Sequence, residues 1–148
     1  MGTHYRGGER ATQALDTYIK LIRAAESVVT RVHRRTGCDV TVSQFGVLEA
    51  LHHLGPMHQR QIASKLLKSG GNVTLVIDNL EKRGLVERRR ELKDRRFVQV
   101  HLTPAGQAFI AELFPRHVES IVSEMSVLEG KEQATLGWLC KTLGRQQR

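Results

Sequence analysis

The chain has 148 residues, of which 40% are hydrophobic and 26% are charged, so it is able to bury a core and is not a disordered tail. Lys and Arg outnumber Asp and Glu by 23 to 15, and the net charge of +8 predicts a polyanionic partner such as nucleic acid. No segment is apolar enough to cross a bilayer, and the N-terminal residues lack the apolar stretch of a secretory signal. The two cysteines lie far apart without a CxxC motif, which argues against a disulfide scaffold and favours the cytoplasm.

The first predicted element is an amphipathic helix from about Ala11 to Arg35. Its apolar residues recur at intervals of three and four, as one face of a helix requires. A helix of this length is too long for one small core to cover. We therefore expect part of its apolar stripe to pack against another subunit.

Two shorter helices are predicted next. Ser43 is a good N-cap for the first of them, and Gly55-Pro56 ends it. The other runs from about His58 to Leu67. The glycine-containing segment Lys68–Gly71 that follows is typical of a turn between helices.

A fourth helix is predicted from about Asn72 to Arg83, with Gly84 as the residue that ends it. Its expected core face comprises Val73, Val76, Ile77 and Leu80. Two β-prone segments follow, LVERRREL and RFVQVHL, with Lys93-Asp94 between them. This arrangement predicts a β-hairpin with a charged tip.

The remaining residues predict two more helices. Thr103-Pro104 supplies an N-cap and a first helical residue, and Pro115 is expected to kink this helix or divide it in two. The last helix covers roughly Lys131 to Leu143. The residues expected to point inward from it are Leu136, Leu139 and Leu143, with Cys140 in the same apolar register.

The segment from Glu81 to Arg96 contains eight basic and four acidic residues, so it carries half of the net charge. Composition alone also allows a merely solvated charged face. However, two short helices joined by a tight turn, the second followed by a basic hairpin, form the pattern of a winged helix-turn-helix. The predicted fold class is therefore mostly α, an α+β winged helix with further helices at both ends.

Two stretches carry a resemblance to a known family: SGGNVTLVIDNLEKRGLVERR, from Ser69 to Arg89, and KDRRFVQVHLTPAG, from Lys93 to Gly106. QFGVL in the second helix and QIASKL in the third belong to the same pattern. The most specific part is Asp94-x-Arg96 followed four residues later by VHLTPAG. From about Ser43 to Gly144 the chain resembles the MarR family of bacterial transcription regulators.

The resemblance implies a single domain over residues 1–148 that works as an obligate homodimer. The terminal helices, at about 11–35 and 104–148, match the family's dimerisation region, and about 43–103 match its DNA-binding winged helix-turn-helix. Paired recognition helices would enter successive major grooves of a pseudo-palindromic operator in double-stranded DNA, with the hairpins, or wings, in the flanking minor grooves. The expected function is that of a repressor released by a phenolic or other aromatic ligand, or by an oxidant.

The residues expected to contact DNA are Ser69, Gly70, Asn72, Val73, Thr74, Asn79, Lys82 and Arg83 from the fourth helix and Lys93, Asp94, Arg95 and Arg96 from the hairpin. Arg96 matches the family's groove-inserting arginine, and Asp94 matches the acid that pairs with it. Ser69 and Gly70 also suit a simple cap and turn. Arg83 suits either a phosphate contact or a solvated cation. The Asp94–Arg96 pair also suits a hairpin salt bridge without a role in DNA binding.

Chemistry other than DNA binding has little support in the sequence. GxSxG, P-loop and GxGxxG motifs are absent and the seven histidines lack metal-ligand spacing, so neither an enzyme nor a cofactor or metal site is expected. Cys38 follows Arg34 and Arg35, which would favour a thiolate if they are close in space, and it is either a redox sensor or an ordinary loop residue. Two alternative functions remain: a DNA-binding protein without an effector, and a winged helix that binds another protein.

Overall fold

The computed structural model describes residues 4–66 and 70–145. In chain order, its elements are α1 (Glu9–Thr36), α2 (Val42–Leu54), β1 (Met57–His58), α3 (Gln59–Leu66), α4 (Gly70–Lys82), β2 (Val86–Arg90), β3 (Val98–Leu102), α5 (Pro104–Met125) and α6 (Gly130–Gly144). This order confirms the predicted winged helix with further helices at both ends. The residues cluster into two compact units, one formed by 37–118 and the other by the described parts of 1–36 and 119–148. None of the helices in the described ranges has an apolar stretch of the length that a bilayer requires.

The unit formed by 37–118 contains a hydrophobic core. Its completely buried side chains include Val47, Leu48, Ile62, Val73, Ile77, Leu80, Val100 and Ile110. The predicted core face of α4 is confirmed, because three of its four apolar residues are fully buried and Val76 packs against the same cluster. Burial of these residues fixes which side of α4 remains available to a partner.

A capping box begins α2. The Thr41 hydroxyl accepts a hydrogen bond from the Gln44 amide at 3.1 Å, and the Gln44 side chain accepts one from the Thr41 amide at 3.0 Å. The expected N-cap at Ser43 is therefore wrong, and Ser43 lies inside the first turn. The reason is that a reciprocal capping box needs Gln or Glu three residues after the cap, which Thr41 has and Ser43 does not.

The chain between α2 and α3 contains a strand that periodicity does not predict. In β1, Met57 pairs with Val100 and His58 pairs with Gln99, so the third helix begins one residue later than expected. Two residues are too few to display an alternation of apolar and polar side chains. Pairing with β3 is a long-range contact that no local pattern records.

The start of α4 also differs from the prediction. The helix already includes Gly70 and Gly71, so the predicted turn is wrong at these two residues, whereas Lys68 and Ser69 lie outside the described residues. Glycine costs about 1 kcal/mol of helix propensity. The buried apolar residues that follow offset this cost, so a glycine pair that is typical of a turn lies in the first turn of a helix.

The hairpin is confirmed as an antiparallel pair at the edge of a three-stranded sheet with the order β1-β3-β2. Val86 lies opposite Leu102, and Arg90 lies opposite Val98. The loop between the strands, Glu91–Phe97, is longer than the expected tip at Lys93-Asp94. We call this loop and its two strands the wing.

Thr103 caps α5, as predicted, because its hydroxyl accepts a hydrogen bond from the Gly106 amide at 3.0 Å. A Cβ atom at Gly106 would lie 1.9 Å from the Leu85 carbonyl oxygen, so glycine lets this first turn pack directly against the backbone that leads into β2. The helix continues through Pro115 to Met125, and the predicted division into two helices does not occur. Proline removes one amide donor, and the helix tolerates this loss.

The other unit contains α1 and α6. Within it, the Glu124 carboxylate accepts a hydrogen bond from Arg31 and lies 3.4 Å from the Arg35 guanidinium, which also donates to the Ser123 hydroxyl. No residue of α6 is buried in the single chain. The expectation that Leu136, Leu139 and Leu143 point inward is therefore wrong for one chain, as is a core position for Cys140, which is exposed. Apolar periodicity marks the face that needs a partner, but it does not say whether that partner lies in the same chain.

Candidate nucleic-acid interface

The face of α4 opposite the core carries most of the polar residues expected from this helix. Asn72 and Thr74 are exposed near its beginning, Asn79 is partly buried, and Lys82 is exposed at its end. Val73 is completely buried, so the prediction that it contacts DNA is wrong. Its core position follows from the same helical periodicity that places Ile77 on the inner face. Ser69 lies outside the described residues, and Gly70 is the first residue of the helix.

A hydrogen bond joins the start of α3 to this outer face. The Gln59 side-chain amide donates to the Thr74 hydroxyl. Gln59 lies on the first turn of α3, whereas Thr74 lies on the second turn of α4. The bond therefore fixes one polar group of the outer face relative to the other helix of the helix-turn-helix.

Arg88 connects β2 to the same face of α4. Its guanidinium lies 2.7 Å from the Asp78 carboxylate and 3.1 Å from the Glu81 carboxylate, and it donates to the Thr74 carbonyl oxygen at 3.4 Å. The Arg88 backbone amide also donates to Glu81 at 3.1 Å, and the Arg88 side chain is only 23% exposed. This cluster, which we call the Arg88 clamp, neutralises two acids that would otherwise repel a phosphate backbone. Apart from the local density of charges, no sequence pattern indicates this cluster.

The wing loop is closed by its own hydrogen bonds. The Glu91 amide donates to the Phe97 carbonyl at 3.0 Å, and the Phe97 amide donates to the Asp94 carbonyl at 3.1 Å. The Arg90 guanidinium donates to the Arg95 carbonyl at 2.9 Å. Hydrogen bonds from the backbone and from the Arg90 side chain thus close the loop.

Asp94 and Arg96 form a two-point ion pair at the wing tip. Arg96 Nε lies 3.0 Å from one carboxylate oxygen, and Nη2 lies 2.8 Å from the other. The Arg96 guanidinium and its backbone amide lower the pKa of Asp94, while Asp94 raises the pKa of Arg96. Because Asp94 stays ionised down to a pH below the usual range of a carboxyl group, the pair is formed at neutral pH. The expected pairing of the two residues is confirmed, and their contact with DNA remains a prediction.

The remaining charged groups of the wing differ in how they are held. Lys93 and Arg95 are exposed in the loop. Where the loop joins its strands, Nε2 of His58 lies 3.2 Å from the Glu91 carboxylate, and the His58 ring meets the edge of Phe97.

A groove of about 430 Å³ lies between these residues and the start of α3. It is lined by His58, Gln59, Arg60, Gln61, Arg96, Phe97 and Val98. Burial lowers the pKa of His101 on β3, so this ring adds no charge at neutral pH.

Arg83 has an intramolecular partner that the sequence did not indicate. Its guanidinium lies 3.0 Å from the Asp39 carboxylate and donates to the Asp39 carbonyl at 3.2 Å, and it lies 6.0 Å from the centre of the Phe109 ring. The residue thus ties the end of α4 to the loop before α2. Its predicted phosphate contact remains a prediction, and it would have to share this guanidinium with Asp39.

Cys38 lies in that same loop. It is partly buried, and its sulfur lies 3.8 Å from the Val40 carbonyl oxygen. It borders a cleft of about 250 Å³ lined by Gly37, Cys38, Asp39, Phe109, Glu112, Leu113 and Arg116. The cation that lines this cleft is Arg116, whereas Arg35, which the sequence suggested as a neighbour, pairs with Glu124 in its own unit. Within 4–66 and 70–145, no group of three or more His, Cys, Asp or Glu residues is placed to hold a metal ion.

Comparison with known proteins shows which protein family the chain belongs to. The sequence profile of the MarR family matches residues 40–98. The chain is 37% identical over 139 residues to YkoM, an uncharacterised HTH-type transcriptional regulator of Bacillus subtilis, covering 92% of this chain and 89% of that protein. It is 31% identical over 135 residues to the HTH-type transcriptional regulator MhqR of the same organism, covering 89% and 92%. The chain belongs to the MarR family.

A solved structure agrees with this assignment. The chain resembles BpsR of Bordetella bronchiseptica with a TM-score of 0.79 and 28% identity, covering 86% of this chain and 98% of that one. The structure of BpsR is described in terms of the regulation of its DNA binding by 6-hydroxynicotinic acid. As a MarR-family member, the present protein is a DNA-binding transcription regulator with a winged helix. Its surface around α4 and the wing is therefore the candidate DNA interface.

The Arg88 clamp gives the first testable prediction. Replacing Arg88 with Ala should lower the free energy of unfolding by about 1–2 kcal/mol, because Asp78 and Glu81 lose a partly buried partner. Arg89→Ala is the matched control, since Arg89 lies next to it on β2 and pairs with Glu87 on the same strand and not with α4 acids in the described ion pairs. We expect the control to change stability by less than about 0.5 kcal/mol. Urea unfolding of the three proteins measures the difference, and equal stability of the two variants would contradict the clamp.

Proposed function

We propose that the protein is a homodimeric repressor that acts by binding a pseudo-palindromic operator and not by catalysis. In this proposal, α4 enters the major groove and the wing enters the adjacent minor groove of each half-site. Residues of about 43–103 read DNA, and the helices at about 11–35 and 104–148 supply the dimer contacts. The observation that carries the proposal is the Arg88 clamp together with the Asp94–Arg96 pair, because the clamp joins the wing to α4 and the pair orients Arg96 within the wing loop.

The wing arginine suits the minor groove for a physical reason. A narrow, A·T-rich minor groove concentrates negative potential, and arginine is the side chain that uses this potential best. Arg96 is 85% exposed, and Asp94 already holds its guanidinium. Orienting the arginine before binding reduces the conformational entropy that the complex would otherwise lose.

The helix supplies the remaining contacts. Asn72 and Thr74 lie near the beginning of α4, the end from which a groove-inserted recognition helix reaches base edges. Asn79 and Lys82 lie farther along the helix and suit backbone contacts. On the wing, Lys93 and Arg95 also suit contacts with the DNA backbone.

The wing hypothesis predicts a specific pattern of affinities. Arg96→Ala should weaken operator binding by about 1–3 kcal/mol with little change in melting temperature, because this side chain makes no core contact. Asp94→Ala should cause a smaller loss, and the double variant should bind about as well as Arg96→Ala alone, since Asp94 acts through its partner. Fluorescence anisotropy on a duplex selected from a random pool with the wild-type protein measures these affinities.

Lys131→Ala provides the control for this experiment, because it removes an exposed cation from the other compact unit. We expect a change in affinity below about 0.5 kcal/mol. Wild-type affinity in Arg96→Ala would show that the wing does not read the minor groove. Strictly additive losses in the double variant would show that Asp94 has a role of its own.

Dimerisation is supported by the apolar side chains that one chain leaves uncovered. Tyr18, Ile22 and Val29 are exposed on α1. On α6, the exposed set comprises Leu136, Trp138, Leu139 and Leu143. Apolar side chains on two long helices of one unit form the kind of surface that homodimers bury. A second copy of the chain is the occupant that a two-fold operator requires.

Leu139→Asp tests the dimer. A charge in a dimer interface would remain desolvated without a partner, so this variant should sediment as a monomer at micromolar concentration, where the wild type sediments as a dimer. Its operator affinity should fall at least tenfold, because one subunit reaches only one half-site. Lys141→Asp on the same helix is the control and should remain dimeric. A wild-type monomer, or an unchanged dimer in Leu139→Asp, would contradict this part of the proposal.

Release by an aromatic ligand is supported by the cleft beside Cys38. Phe109 offers an aromatic wall, Glu112 offers an acceptor for a phenolic hydroxyl, and Arg116 suits a carboxylate. Its small volume suits a single ring. The cleft includes Asp39 and Phe109, and the Arg83 guanidinium after α4 contacts both of them. A ligand that engages either residue would disturb the Arg83 contacts and so the position of α4.

Titration of 6-hydroxynicotinic acid and of catechol into the protein–DNA complex tests this site. We expect release of DNA, and Glu112→Gln should raise the ligand concentration needed by about tenfold, because a charged acceptor is lost. Glu119→Gln, an exposed acid on the same helix but outside the cleft, is the control. Cys38→Ser should keep the response to these ligands and lose the response to hydrogen peroxide. DNA that stays bound with every compound would favour a DNA-binding protein without an effector.

A further inference from the structure

The loop of the wing carries an apolar side chain that the fold does not use. Leu92 is 97% exposed, more than any other large hydrophobic residue in the described ranges. It lies in the closed loop between Glu91 and Phe97, so hydrogen bonds of the loop hold its backbone in place. An isolated exposed leucine needs no explanation on an ordinary surface. A leucine in the loop of a wing that is proposed to enter a DNA groove is different, because the groove would surround that loop.

The charges around Leu92 point to a polyanionic partner. Glu91 faces His58, and Asp94 is paired with Arg96, so both acids of the loop are held by cationic or ionisable partners. Lys93 and Arg95 are exposed beside them. Leu92 therefore lies, strongly exposed, in a loop whose three basic residues outnumber its two acids. Such a surface repels a second basic copy of this chain, whereas it complements DNA.

We propose that Leu92 is an apolar DNA contact that enters the minor groove together with Arg96. This inference rests on the proposed function, because it requires the wing to lie in that groove. Architectural DNA-binding proteins insert leucine and similar side chains against base steps of the minor groove and bend the duplex there. Leu92 buries its side chain against sugar and base edges. The favoured partner is a pyrimidine–purine step, because these steps unstack most easily.

An apolar contact and an ionic contact differ in their dependence on salt. Neutralising a phosphate releases counterions, so each such contact steepens the decline of affinity with salt concentration. An apolar contact releases no counterions and contributes equally at all salt concentrations. The neighbouring residues Leu92 and Lys93 therefore form a matched pair for experiment, since each can be replaced by serine in the same loop.

The test measures operator affinity from 50 to 300 mM salt, and the bend of the duplex by energy transfer between dyes at its two ends. Leu92→Ser should weaken binding by roughly tenfold, the order expected when a leucine is no longer buried, with an unchanged salt slope and a smaller bend. Leu92→Met should behave like the wild type. Lys93→Ser should instead reduce the salt slope by about one unit and leave the bend unchanged. Because Leu92 is exposed, its variants should melt at the wild-type temperature.

Two results would overturn the inference. One is that Leu92→Ser keeps the wild-type affinity and bend while Arg96→Ala loses affinity. The wing would then still read the minor groove, but without a contact from Leu92. The other is a loss in Leu92→Ser that comes with a changed salt slope, which would indicate a general distortion of the loop. If Arg96→Ala also binds normally, the proposed wing function fails, and this inference fails with it.

Discussion

One guanidinium group, that of Arg88, determines whether α4 and the wing act as one surface. A protein that reads two grooves at once must keep its helix and its hairpin at a fixed separation, since a shift of either one loses the register of its contacts. Arg88 bonds to Asp78, Glu81 and the Thr74 carbonyl, all on the outer side of α4. Arginine suits this position because its planar group carries five donors, whereas a lysine ammonium cannot satisfy three acceptors in the same geometry.

Pairing between acids and basic or ionisable groups extends through the whole basic segment from Glu81 to Arg96. Each of its four acids has a positive or ionisable partner: Glu81 with Arg88, Glu87 with Arg89, Glu91 with His58 and Asp94 with Arg96. The acids therefore do not simply reduce the charge of the surface. They position cations, and the excess of basic residues leaves Lys82, Lys93 and Arg95 exposed for phosphate. The interspersed acids thus hold the basic side chains in place, whereas the basic side chains of a mobile tail lack such partners.

Local sequence patterns predict most of this architecture, and most of the features they miss depend on long-range contacts. Helical periodicity predicts the core face of α4, two β-prone segments predict the hairpin, and a cap residue predicts the start of α5. Local reasoning can also find the Thr41 cap, because Gln44 lies three residues after it. Strand β1 and the partners of Arg88 and Arg83 depend on residues far apart in the chain. Val73 shows the opposite error, since a residue already placed in the core by periodicity was also included among the DNA contacts.

The two compact units differ in how well one chain covers its apolar residues. The unit formed by 37–118 encloses completely buried residues from helices and strands, so its core is supplied within a single chain. In the other unit, α6 has no buried residue, although its leucines recur at helical spacing. Hydrophobic burial is the main source of folding free energy, so a helix without it has little tertiary support. In the proposed dimer a second copy would cover these residues, so the order of α6 would depend on protein concentration, whereas the candidate DNA interface is built within one chain. Dimerisation would then serve mainly to place two such interfaces at the spacing of the proposed operator.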